Sequence, residues 1–362
     1  MAKFRTFLKR KNIIFSAKRY GIDALGAMAQ GLFCTLLVGT ILNTLGQMGI
    51  GFLNEIVVTV KQGENTLTYT IGGLASAMVG PGIAVAIGMA LGAPGMVLFS
   101  LIPVGFAANA MGGAGGPLAV YFVAIVAAEC GKLVSKETKI DILVTPIVTI
   151  LAGVGISALV AAPIGKAASA VGEFVEWATV LQPFWMGILV SVTVGIALTL
   201  PISSAAICAA LGLTGLAGGA AVAGCCAQMV GFAVMSFREN RWGGLVAQGI
   251  GTSMLQMPNI IKNPRIWIPP TLCSAITGPL ATCLFHLEMN GAPVSSGMGT
   301  CGLVGQIGVY TGWVSTGHTI TVMDWVGLGL ICFILPGVLS WLFAMPLRKC
   351  GWIKENDLKL DL

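Results

Sequence analysis

The feature that most constrains this chain is a series of long apolar runs, nearly free of charge, that recur from Gly21 to the end. A run of about twenty apolar residues is what a helix needs to cross roughly 30 Å of hydrocarbon. Inside lipid each backbone N–H and C=O must be paired within the structure, so only helices and closed barrels can span. A barrel would show short segments of alternating polarity, and the sequence has none. The fold class is therefore all-α: a polytopic membrane protein. Charge leads to the same conclusion. Only 9% of the 362 residues are charged, against about 25% in a soluble domain. Too few charges remain to cover a water-facing surface of ordinary size.

Candidate spans fall at about 24–46, 70–91, 95–111, 117–131, 142–163, 183–208, 216–235, 243–258, 266–285 and 324–346. Seven of the twenty Lys and Arg residues lie before them: Lys3, Arg5, Lys9, Arg10, Lys11, Lys18 and Arg19. With Phe4, Phe7, Leu8, Ile14 and Phe15 among them, residues 1–20 read as a basic amphipathic helix for an anionic inner leaflet rather than for nucleic acid. Arg348, Lys349 and Lys354 open a polar tail at 348–362. Positive charge marks the inner side, so both termini are expected in the cytoplasm and the number of crossings, about ten, is even. The loops with Lys132, Lys136 and Lys139, and with Lys262 and Arg265, then face inward. Residues 54–69 and 166–182 face outward. One loop conflicts: Arg238 and Arg241 would lie outside, unless 204–236 is a re-entrant hairpin.

The run Val79–Met96 can be laid on Thr199–Leu216 with a shift of 120 residues, Pro81 meeting Pro201, Ala90-Leu91-Gly92 meeting Ala210-Leu211-Gly212, and Gly95 meeting Gly215. The transmembrane region 21–347 thus divides into two parallel repeats, about 21–165 and 180–300, with re-entrant or Gly-broken segments and a final span at 324–346. Paired repeats are how many transporters build a midplane site. The ten cysteines show no metal or redox spacing, and neither a phosphate loop GxxxxGK[ST] nor HExxH is present. No cofactor, no metal and no intrinsic catalytic site are expected.

Ionisable groups within the bilayer are costly, which makes each a functional candidate. Asp23 and Glu129 read as partners of nearby basic residues. Glu288 differs: it stands isolated in His286-Leu287-Glu288-Met289-Asn290, between an apolar span and the Gly-rich run Gly297–Gln306. Glu288, His286 and Asn290 are the first candidates for binding a sugar or other small polar solute. Asn109, before the break Met111–Gly116, and Gln228, in the corresponding part of the second half, follow. Gln256, Asn259 and Asn263 flank a basic loop.

Together the basic N-terminus, VGPGIAVAIG…ALGAPG, MGGAGGP and KNPRIWIPP…ITGPLATCLF…NGAPVSSGMGTCGLVGQIG resemble the membrane IIC proteins of the bacterial sugar phosphotransferase system. The nearest branch is the second IIC family, which includes PfoR-like regulators. The resemblance implies a homodimeric permease that passes a sugar inward while separate IIA and IIB proteins phosphorylate it. Where glucose-type permeases carry Gly-Ile-Thr-Glu-Pro, this chain has Ala275-Ile276-Thr277-Gly278-Pro279, so the sugar-binding carboxylate passes to Glu288. The alternatives are a secondary transporter or channel for another small solute or ion, and a ligand-sensing membrane regulator.

Overall fold

The computed structural model describes residues 2–47, 50–62 and 65–360. In chain order its helices are α1 (Ala2–Arg10), α2 (Ala24–Leu32), α3 (Val38–Gln47), α4 (Ile71–Ala77), α5 (Val79–Ala90), α6 (Gly95–Gly112), α7 (Gly116–Val134), α8 (Asp141–Thr179) and α9 (Pro183–Thr199). There follow α10 (Ser204–Ala210), α11 (Gly215–Met235), α12 (Phe237–Val246), α13 (Met257–Lys262), α14 (Ile268–Pro279), α15 (Val304–Ser315), α16 (Val322–Gly329) and α17 (Leu335–Lys349). Among the described residues five stretches are long and apolar enough to cross a membrane: Arg19–Gly46, Gly95–Val134, Asp141–Thr179, Gly215–Met235 and Val322–Lys349. The bent pair α4 and α5, 53° apart, makes a sixth. The chain is a multi-pass, all-α membrane protein. Other candidate spans, such as 243–258 and 266–285, are assembled from short helices and π or 3-10 turns. Pro258, Pro264, Pro269 and Pro270 withhold backbone donors and punctuate those runs.

Two segments expected as outer loops are ordered. Residues 166–179 continue α8 as helix, because Ala168, Gly172, Val175 and Ala178 are buried at helical spacing while Glu173 and Glu176 face out. At 39 residues α8 is about 58 Å long, nearly twice the hydrocarbon thickness. Within 54–69, β1 (Val58–Gln62) and β2 (Asn65–Tyr69) pair antiparallel, Val58 opposite Tyr69 and Val60 opposite Leu67; residues 63–64 lie outside the description. The N-terminal helix stops at Arg10: Asn12 adopts φ 55 and Ile13 turns into the interior. The side chains of Lys3, Phe4 and Arg5 lie outside the described ones.

The chain divides into two compact units, Met1–Leu36 with Leu74–Ala167, and Leu37–Gly73 with Ala168–Leu362. In the first, α5, α6 and α7 pack on one another and α2 packs on α5. Glycine makes this approach feasible: a methyl group at Gly31 would lie 2.6 Å from the Gly82 carbonyl oxygen. Lys132 donates to the carbonyls of Asn12 (2.8 Å) and Leu91 (2.9 Å) and pairs with Glu129 at 2.9 Å. Glu137 pairs with Arg10 and Lys11, so the basic N-terminus is fastened to the basic loop after α7.

In the second unit α11 is central, packed by α9, α14 and α17. Where α11 and α9 come closest, glycines remove the Cβ, with Gly224 against the Ser191 carbonyl and Gly195 against Gly224. The last residues are docked. Ile353 and Leu358 are buried with Phe232, Met235, Ile260 and Ile266. A set of amides holds their backbone: Asn240 and Gln256 donate to Leu358 O (2.7 and 2.9 Å), Asn259 to Lys359 O (2.8 Å) and Asn263 to Trp352 O (2.8 Å). Glu239 pairs with Arg348 at 2.9 Å, and Arg265 stacks on Trp352. The loops at 238–241 and 262–265 therefore share one side of this unit with the C-terminal segment.

One backbone turn occurs twice. Leu91, Gly92 and Ala93 close α5 by donating to Ile87, Met89 and Gly88 at 2.9–3.0 Å. Leu211, Gly212 and Leu213 close α10 on Ile207, Ala209 and Cys208 at 3.0–3.1 Å. Both central glycines are left-handed, φ 62 and φ 59, a conformation that suits glycine best. The next helices begin at Gly95 and Gly215.

Candidate functional site

Polar side chains of several segments meet beside α11 of the second unit. Its residues from Ala217 to Met229 are all buried, and Gln228 is the one long polar side chain among them. The amide cannot reach water, and its partners come from three neighbouring elements. Trp267 Nε1 donates to Gln228 Oε1 at 3.0 Å, and Gln228 Nε2 donates to Thr271 Oγ1 at 3.4 Å. Thr199, at the end of α9, approaches Gln228 Oε1 at 3.4 Å and Ser253 Oγ at 2.7 Å. Gln228, Thr199 and Ser253 are fully buried, whereas Trp267 and Thr271 are half-buried. An amide, three hydroxyls and an indole, with the indole and the Thr271 hydroxyl only half-buried, form a set that can exchange its internal hydrogen bonds for those of a polyhydroxylated ligand. Counting residues, Gln228 sits about 20 Å along α11 from Gly215 and about 10 Å from Met235.

On another face of the same turn, two buried groups find weak partners. Thr300 Oγ1 reaches Met229 Sδ at 3.5 Å, and Gln306 Nε2 reaches Cys226 Sγ at 3.2 Å. Gln306 Oε1 has no partner among the described residues. Buried polar atoms are nearly always paired, so such a gap has a reason.

Glu288, His286 and Asn290 lie at the far end of α11. The strand-like segment 287–290 passes the first turn of that helix, with Gly215 N donating to Met289 O and Met289 N to Gly215 O, both at 3.0 Å. Leu287 and Met289 point in and are buried, while His286 and Glu288 point out and are exposed. Glycine makes the passage possible: a side chain at Gly219 would strike the Leu287 carbonyl. Asn290 bridges, donating to Glu288 Oε2 at 2.8 Å and accepting from Gly215 N at 3.1 Å. Glu288 and Asn290 thus form one group, with His286 (φ 46) alongside in sequence. Gln228 is not part of it.

Asn109 belongs to the first unit. Its side chain lies where Cβ atoms would stand at Gly80 and Gly116, so it packs against the break between α6 and α7. Gly278, in the string Ala275–Pro279, stands at a tight helix contact. Its Cα faces the Gly187 carbonyl and Ser191 across the α14–α9 contact, leaving no room for any side chain. Residues 256, 259 and 263 hold the C-terminal segment rather than a cavity.

Trp267, Thr271, Thr199 and Ser253 were not singled out from sequence. Thr199 opened the repeat alignment, but its polarity passed unremarked, and a tryptophan after a basic loop reads as an interfacial anchor. Only the fold brings Thr199, Ser253 and the stretch with Trp267 and Thr271 together beside Gln228.

A family model described as "Phosphotransferase system, EIIC" matches residues 22–360. No curated protein and no solved structure matches the chain. Nearly the whole chain is covered, from the first span to the docked C-terminal segment. The protein belongs to the EIIC family and is a membrane permease component of a sugar phosphotransferase system.

Proposed function

We propose that the sugar binds in the second unit beside the middle of α11, with Gln228 as the main hydroxyl-binding side chain and Thr199, Thr271 and Trp267 around it. What supports this reading is the buried amide held by partners from α9, α14 and the turn before it, in a helix whose other residues are all apolar or glycine. A polar group this deep in the membrane is costly and is kept where a ligand uses it. Half-buried Trp267 offers a ring face for the apolar side of a sugar, and the amide both donates and accepts. Glu288, Asn290 and His286 serve at the opposite mouth, where an ionised carboxylate is the strongest acceptor for hydroxyl donors. Asn109 shapes the glycine break of the first unit.

On this reading both termini are cytoplasmic in a bacterial inner membrane, separate IIA and IIB proteins supply the phosphoryl group, and the permease is a homodimer. The basic cluster formed by 238–241, 262–265 and the C-terminal segment supports an inward-facing side there.

The test is sugar binding and uptake by purified, reconstituted protein. Thr271→Val and Gln228→Leu should each lower affinity about tenfold or more, the scale of one or two lost hydrogen bonds. Glu288→Gln keeps the shape and loses the charge, and should cost about 1–2 kcal/mol of binding with the fold intact. Unchanged affinity in both Gln228→Leu and Thr271→Val would remove the site from α11.

A further inference from the structure

A groove of about 800 Å³ runs beside the end of α11 in the second unit. One wall is a single face of α17 and of the residue before it: Ile334, Val338, Trp341, Met345 and Arg348 recur at spacings of three and four residues. From Ile334 to Arg348 that row is about 21 Å long, somewhat more than the roughly 15 Å of hydrocarbon in one leaflet. Phe237, Arg238 and Trp242 form the other wall. The walls are bare of protein: Val338 is 48% exposed, Trp341 49% and Trp242 71%.

The groove has polarity along its length. Its lining is apolar at Ile334, and both arginines stand at the opposite end. Arg348 is already engaged, donating to Met235 O at 3.1 Å and to Glu239 at 2.9 Å. Arg238 is exposed and has no hydrogen-bond or ion-pair partner among the described residues. A free guanidinium closing an apolar slot of one-leaflet length, beside a tryptophan, is complementary to a molecule with a phosphate head and a hydrocarbon tail.

We infer that this groove binds an anionic phospholipid, its acyl chain along α17 and its phosphate on Arg238. A second copy of the chain is a poorer occupant. Two copies in one membrane stand the same way up, so a two-fold contact through this groove would set the arginine ends against each other.

The experiment uses the full chain in neutral detergent, with phosphatidylglycerol or phosphatidylcholine of matched chains, and reads apparent melting temperature and lipid retained. Phosphatidylglycerol should raise the melting temperature by several degrees more than phosphatidylcholine, since a ligand of the folded state stabilises it. Arg238→Gln should lower its retention about tenfold, the scale of one charge-assisted hydrogen bond, and Arg238→Lys should keep most of it. Val338→Trp, on an exposed position, should fill the slot and lower retention of both lipids while the protein stays folded. Glycerol phosphate, which lacks the tail, should not stabilise. The proposal falls if the two lipids act alike, if Arg238→Gln leaves the preference intact, or if glycerol phosphate reproduces the effect. It falls too if Val338→Trp changes the oligomeric state without changing lipid retention.

Discussion

At the residue scale, Glu137 ties the N-terminus to the loop after α7. The hydrogen bond from Lys11, with the charges of Arg10 and Lys11, holds its carboxyl below the usual carboxylate range against a smaller opposing effect of desolvation. A carboxylate whose folded pKa is depressed contributes fully above its unfolded value, and the contribution is lost as pH falls through the folded value. The N-terminal segment should therefore stay fastened through neutral pH and be released only in acid below the ordinary Glu range. A spin label at residue 9 should gain mobility in that window, and Glu137→Gln should make it mobile at neutral pH; a label whose mobility ignores both would refute the fastening. Sequence showed the partners' charges but not the pairing, because the two segments are separated by more than a hundred positions. It was more informative at Glu288, whose isolation between an apolar span and a Gly-rich run marks it in the sequence, while the alternation that buries Leu287 and Met289 and exposes the carboxylate is seen only in the structure. It was least informative at Gln228, whose setting depends on Trp267 and Thr271 arriving from a segment that reads as one continuous span at 266–285.

Among the elements, the glycines separate into those that helix contacts require and those that they do not. Gly224 faces the Ser191 carbonyl across the α11–α9 contact, while nothing lies within 4 Å of a methyl group at Gly155 of α8. Gly224→Ala should destabilise by about 1–3 kcal/mol through overpacking, while Gly155→Ala should be neutral or stabilising by up to about 1 kcal/mol. Thermal unfolding of the two variants in detergent checks the contrast, and equal midpoints would show that α11 tolerates separation from α9. The sequence disclosed the helices with long apolar runs and aligned Gly92 with Gly212, while the left-handed helix end that both form is seen only in the structure. It could not disclose that α8 continues past Pro163, because its buried stripe at 168, 172, 175 and 178 is made of small residues mixed with charge. Nor could it show that the run 266–285 ends in a π turn and an extended segment, which depends on the gap left by Gly219.

For the whole molecule, side of membrane and the fate of the last residues are the open measurements. Met235 and Gly215 end a helix of 21 residues, about 30 Å long, so the basic loops and Glu288 lie at opposite ends of it. With the exposed Cys34, Cys283 and Cys350 replaced, cysteines placed at 241, 262 and 354 should label from one side and a cysteine at 288 from the other. Labelling of 241 from the side of 288 would overturn this. Arg238 and Arg241 lie in the stretch that conflicts with the charge rule in the sequence. Glu239 and Asn240, bonded to the C-terminal segment, put that loop beside Arg348 whatever the count. The polar tail is likewise docked, because Leu358 is buried; Leu358→Ala should cost about 2–5 kcal/mol of stability by thermal unfolding. A fully solvated tail would leave the midpoint unmoved. The docking has a further consequence for variation. Asn240, Gln256, Asn259 and Asn263 address main-chain oxygens, which every amino acid carries alike, so much of the identity of the tail's side chains is left unread. Lys354, Glu355 and Lys359 are thus free to be exchanged, to recolour that face for a different soluble partner, while the latch keeps its grip. The amides that read the oxygens have no such freedom, and drift should fall on the strap and spare the hands that hold it.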